Sequence, residues 1–138
     1  KLSGTDPFDG CYERYASATA LVKMVSEIDP SLTNGRQIFA NLERPEIKAV
    51  VNKWIDEIVL GLTTLIHIFN PSCIVLGGGI MVQPYILEQI NVRIPQMVMS
   101  SFSHVQISSA KLGNSAGLLG AYHLAAQKLE MSDLSDQK

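Results

Sequence analysis

Three consecutive glycines, Gly77, Gly78 and Gly79, directly follow the apolar run Cys73-Ile74-Val75-Leu76. Residues without Cβ reach φ > 0 and let a ligand touch main-chain atoms, at a cost in conformational entropy. If the apolar run is a buried strand of an open α/β sheet, its carboxyl end is where ligands gather, and the chemistry expected there is nucleotide binding. A tight strand-to-helix connection without a ligand fits the same residues. The run is not a GxGxxG fingerprint, because its sixth position is Val82, and Gly113 to Gly117 lacks the following lysine of a P-loop. His67 falls on an apolar helical pattern and reads as a satisfied core residue, whereas His104 and His123 have no carboxylate or cysteine at metal-ligand spacing. Sequence order offers no serine, histidine and acid set. Trp54 and the methionines fall at core spacing and read as packing.

The elements that must position the glycines are legible from periodicity. Tyr15, Ala18, Leu21, Val22, Val25 and Ile28 recur at helical spacing and stop at Asp29-Pro30. Asn34-Gly35 offers a turn or N-cap for a short helix carrying Ile38, Phe39 and Leu42. Pro45 suits the first turn of a long helix with Ile47, Val50, Val51, Trp54, Ile55, Ile58, Leu62, Leu65 and Phe69 on one side. Its far end is apolar nearly all round, which predicts the central, buried helix of the domain. Pro71 closes it and the strand Cys73 to Leu76 follows. Pro84 then precedes a helix with Ile86, Leu87, Ile90 and Ile94 inward, Val105 to Ser108 alternates as a second strand, and Asn114 to Leu129 is a last helix rich in small residues. Residues 131–138 read as a flexible polar tail.

The chain has 138 residues, 46% of them hydrophobic and 17% charged, with a net charge of −2. That is a globular composition without the basic footprint of a nucleic-acid binder or an anionic-membrane binder. The two cysteines, Cys11 and Cys73, form no CxxC and fit a reducing compartment, so the cytoplasm is the expected location. No apolar run is long enough for a membrane span. Two strands do not make an independently stable sheet, and the helices carry more apolar surface than two strands can cover. The chain therefore reads as the carboxyl-terminal part of a longer protein.

At three places the residues resemble the ROK family of bacterial sugar kinases and related repressors, within the actin/hexokinase-like (ribonuclease H-like) ATPase fold. Gly10-Cys11-Tyr12-Glu13 and the alanine- and serine-bearing helix after it resemble the family's GCxE signature. Asn70-Pro71 through Gly79 resembles its strand and glycine turn, and Leu112-Gly113-Asn114-Ser115-Ala116-Gly117-Leu118-Leu119-Gly120-Ala121 its closing LGxxAGLxGA signature. The resemblance implies an α/β fold, helix-rich and with few strands in this chain. Residues 1–130 would be the carboxyl-terminal lobe of an ATP-dependent hexose or hexoside kinase that uses ATP and Mg²⁺. It also implies that Gly77, Gly78 and Gly79 lie against adenosine and that Glu13 accepts hydrogen bonds from sugar hydroxyls, as an acceptor-only carboxylate can. Taken by itself, Glu13 is a solvated glutamate whose charge suits a first helical turn.

The resemblance equally marks what these residues lack. In the family the proton-accepting aspartate, the phosphate-holding turns and a further sugar-contacting histidine lie in the amino-terminal half, so no catalytic residue is assigned and this chain alone is expected to be inactive. The family's zinc module, CxCGxxGC, would place cysteines at positions 4 and 6, where this chain has Gly4 and Asp6, with Pro7 between the expected ligands and Cys11. No zinc is expected, and Cys11 then reads as a packed small side chain. The partners implied are a sugar, an amino-terminal lobe and a second copy in a homodimer, with no nucleic acid through these residues and no membrane. The same lobe would also serve as the sugar-sensing domain of a ROK-type transcriptional repressor, with a helix-turn-helix elsewhere.

Overall fold

The computed structural model describes residues 8–135. Positions 4, 6 and 7, on which the zinc expectation rests, lie outside the described residues, as do residues 136–138 of the expected tail. The element order is α1 (Glu13–Ala16), α2 (Ala18–Ser26), α3 (Gly35–Ala40), α4 (Pro45–Phe69), β1 (Cys73–Leu76), α5 (Pro84–Met97), β2 (Gln106–Ser109) and α6 (Ala116–Ser135), with short 3-10 turns before α5, β2 and α6. The described residues thus form a helix-rich α/β arrangement with a small parallel sheet.

The helix expected from Tyr15 to Ile28 is broken in two. Ser17 is extended, and its side chain turns back to accept from the Ala20 N–H, capping α2. α3 is capped by Asn34 in the same way, through the Gln37 N–H. α4 runs 25 residues from Pro45 at its first turn to Asn70, which ends it in the left-handed conformation at φ 44°. Asparagine tolerates that region better than most side chains, and Pro71 then excludes further helix.

The core sits where α4 meets α2, α3 and α5. Trp54, Leu21, Val25, Ile38, Ile47, Val51, Ile55 and Ile66 are fully buried, joined by Ile86, Ile90 and Ile94 from α5. A polar clamp holds α5 on α4. Arg93 donates to the Asn52 carbonyl (2.9 Å), the Asn52 side chain (2.7 Å) and Asp56 (2.6 Å), and the Tyr85 hydroxyl donates to the same Asn52 side chain (2.9 Å).

β1 and β2 pair in parallel with Cys73 opposite Gln106 and Leu76 opposite Ser109. Ile107 is buried, and Ile74 and Leu76 pack on the same core, but Cys73 and Val75 on the opposite face are exposed. The strand read as buried is therefore covered on one side only. The far end of α4 departs from expectation similarly: Ile66 is buried while Leu65, Ile68 and Phe69 are exposed. Parallel sheets and all-round apolar helices are normally covered on both sides. Among the described residues nothing covers these second faces, so one stripe of each remains open.

Candidate functional site

β1 ends at Leu76, and the Leu76 carbonyl accepts from the Ala110 N–H (2.8 Å), which ties the two strand ends together. Gly77 and Gly78 follow. Gly78 has φ 115° and ψ 153°, a conformation open essentially to glycine alone, and Gly79 starts the 3-10 turn Gly79–Val82 that leads to α5. The result is a hollow of about 140 Å³ at the carboxyl ends of both strands, floored by Leu76, Gly77 and Gly78 and walled by Met81, Val82 and Ser109. A Cβ placed on Gly77, Gly78 or Gly79 would meet no atom within 4 Å. The fold does not need these positions bare for its own packing, and the space in front of them is free for a flat ligand.

Gly79 itself is not among the residues facing the hollow, whereas Ala110 and Gly113 are. Gly113 is also at positive φ, 50°. Sequence reasoning did not place Ser109, Ala110 and Gly113 at this site. The signal was present: β2 ends at the same sheet edge as β1, and Gly113 heads the closing glycine signature.

Glu13 lies elsewhere. The Phe8 carbonyl accepts from the Cys11 N–H (2.9 Å) to close a turn, the Asp9 carbonyl accepts from the Tyr15 hydroxyl (2.6 Å), and the four-residue α1 starts at Glu13. Glu13 is exposed on an open groove of about 390 Å³ whose other walls include Cys11, Arg14, Ser17, Thr19 and Lys23. One carboxylate, two cations and hydroxyls around a groove give both acceptors and donors, as a polyol ligand requires. Thr19 and Lys23 were not singled out from sequence, since α2 positions at this spacing read as solvated helix surface.

The two places do not share a cavity. A third, apolar groove of about 590 Å³ lies along α4, lined by Tyr12, the neighbour of Glu13, by Ile58, Gly61 and Leu65, and by Met81. Met81 also walls the glycine hollow. α4 is thus the strut between the residue next to Glu13 and the turn after β1.

Other expectations need correction or detail. Cys11 is exposed on the Glu13 groove and is not a packed side chain, because it sits in the surface turn that its N–H closes on the Phe8 carbonyl. Met97 and Met99 are exposed and do not pack, as they lie past the last buried turn of α5. His67 is half-buried, edge-on to Phe102 with ring centres 4.9 Å apart, and its Nε2 accepts from the Met99 N–H at 3.5 Å. Among the described residues no group of three or more His, Cys, Asp or Glu could hold a metal ion, and no helix is long and apolar enough to cross a membrane.

The chain is 36% identical over 115 residues to an uncharacterised protein of Clostridium perfringens, covering 78% of this chain and 39% of that protein. It is 28% identical over 122 residues to an N-acetyl-D-glucosamine kinase of Yersinia enterocolitica, covering 87% and 40%. With a beta-glucoside kinase of Listeria innocua it shares 33% identity over 97 residues, covering 68% and 32%. The chain spans about 40% of the length of the first of these relatives. The ROK family model matches residues 2–128, nearly the whole sequence and all three of its signatures, and the chain belongs to the ROK family.

Proposed function

We propose that the chain is the carboxyl-terminal domain of an ATP-dependent sugar kinase with an actin/hexokinase-like fold, transferring a phosphoryl group to a hydroxyl of a hexose, amino sugar or hexoside. The observation that carries the reading is the bare hollow at the strand ends, where Gly78 takes a glycine-only conformation and no side chain fills the space in front of Gly77 to Gly79. The relatives supply the chemistry: two of them are named as kinases, one of N-acetyl-D-glucosamine and one of a beta-glucoside.

In this reading Gly77 and Gly78 lie against the adenosine of ATP, with Gly79 starting the turn that carries Met81 and Val82 alongside it. Glu13 accepts hydrogen bonds from sugar hydroxyls, and Lys23 and Thr19 stand where they can donate to the same ligand. ATP supplies the phosphoryl group, with Mg²⁺ to offset its charge. The proton acceptor and the phosphate-holding groups are contributed by an amino-terminal lobe, and the working form is a cytoplasmic homodimer that covers part of the apolar surface left open on α4.

The test is sugar-dependent ATP turnover by the intact protein on a panel of hexoses, amino sugars and β-glucosides. Turnover with one of these classes is expected, and Glu13→Gln should raise the KM for that sugar by about tenfold or more, the cost of weakening hydrogen bonds to a charged acceptor. No turnover on the whole panel would refute the reading.

A further inference from the structure

We infer that Tyr12 is a positioning residue for Glu13, and that Gly61 is glycine because α4 must leave a notch in which Tyr12 sits. The inference rests on the reading of Glu13 as a sugar-binding carboxylate and adds how that carboxylate is held.

α1 has only four residues and buries none of them fully, so helix propensity alone does not hold it, although Ala16 packs against the core. Two anchors that flank it lie on α4, on one stripe. On one side the Tyr12 hydroxyl donates to the Glu57 carbonyl at 2.9 Å and lies 3.3 Å from that of Ile58. On the other, Trp54, fully buried, donates its indole N–H to the Ser17 carbonyl at 3.0 Å. Trp54, Ile58 and Gly61 follow the i, i+4, i+7 spacing of a single helix face. Glu13 therefore stands on a short bridge pinned at both ends to the same rigid helix.

The notch is specific. A Cβ on Gly61 would fall on the Tyr12 hydroxyl and its ring carbon, well inside any permitted contact. Glycine is unfavourable in the middle of a long helix, and the three atoms nearest to such a Cβ all belong to Tyr12. The close approach of Tyr12 explains why it is there. α4 then runs on to Asn70, β1 and the glycine turn, so the helix that anchors Glu13 also carries the hollow assigned to adenosine.

The experiment compares Gly61→Ala, Tyr12→Ala, the double variant and Glu13→Gln in the intact protein, measuring KM separately for sugar and ATP, together with hydrogen exchange. Filling the notch should raise the sugar KM by about tenfold or more, as small misplacements of a binding group do. The ATP KM should stay within about twofold, and the double variant should be no worse than Tyr12→Ala, because the two changes remove one interaction. The Tyr15, Ala16 and Ser17 amides, which bond within α1 to the Tyr12 and Glu13 carbonyls, should exchange faster in Gly61→Ala while α5 amides do not. Multiplying effects in the double variant, equal rises in both KM values, or unchanged exchange at these amides would each overturn the inference. An unmoved sugar KM in Glu13→Gln, with exchange in Gly61→Ala still accelerated, would overturn the glutamate's role and leave Tyr12 as a structural latch only.

Discussion

Asp29 shows how single residues tune this fold. Its carboxylate accepts from the Ser31 hydroxyl at 2.6 Å and from Arg44 at 2.7 Å, and the Ser31 N–H adds a third bond. These bonds, the Ser31 hydroxyl first and Arg44 next, lower its pKa from 3.8 to about 2. Because the folded value lies below the unfolded one, the bonds stabilise the fold at pH above 3.8, and the contribution fades as pH falls toward about 2. In Arg44→Ala the Asp29 carboxyl should titrate nearer its ordinary value by NMR; an unchanged titration would show that Ser31 alone is responsible. The two central glycines separate conformation from ligand in the same way. Gly78→Ala forces a side chain into φ 115° and should cost about 1–3 kcal/mol in urea unfolding. Gly77→Ala meets no atom and should be neutral or stabilising by about 0.4–1 kcal/mol.

At the scale of elements, the joint between α4 and α5 depends on a few polar atoms. Asn52 accepts from both Arg93 and Tyr85, so Asn52→Leu leaves two partly buried donors without that acceptor. It should lower stability by about 1–3 kcal/mol, read as a reduced urea midpoint at constant slope. This clamp could not be read in advance, because it joins residues about forty positions apart with no local signal. What was legible was local chemistry. α4 starts at Pro45 and ends at Phe69 before Asn70-Pro71, and β1 occupies Cys73 to Leu76, as proline, asparagine and the apolar run require. The break at Ser17 was hidden because the apolar period continues across it, and only the hydroxyl returning to the Ala20 N–H reveals it. The notch at Gly61 was hidden too, since an isolated glycine in a helix has no reading until its neighbour in space is known.

Among the described residues, large apolar side chains stand exposed on both α4 and α6. Phe69 and Ile68 on α4 are 69% and 66% exposed, and Leu118, Tyr122 and Leu124 on α6 are 76%, 68% and 64% exposed. Expressed by themselves, residues 1–138 should self-associate or bind an environment-sensitive dye, measured by light scattering and fluorescence, and a monomer that binds no dye would count against a covering lobe. Ser109 and Gly113 were not legible beside Gly77 and Gly78, because they reach the hollow only through the parallel pairing of β2. Glu13 and the hollow line separate cavities on this chain, so the two proposed contacts can be tested independently. The most direct measurement is therefore the KM for ATP and for sugar of Gly77→Val in the intact protein, with its melting temperature as a control. Side-chain bulk placed in open space should leave the melting temperature and the sugar KM unchanged and raise the ATP KM by about tenfold or more, since a displaced purine loses its floor. An ATP KM equal to that of the unaltered protein would contradict the account.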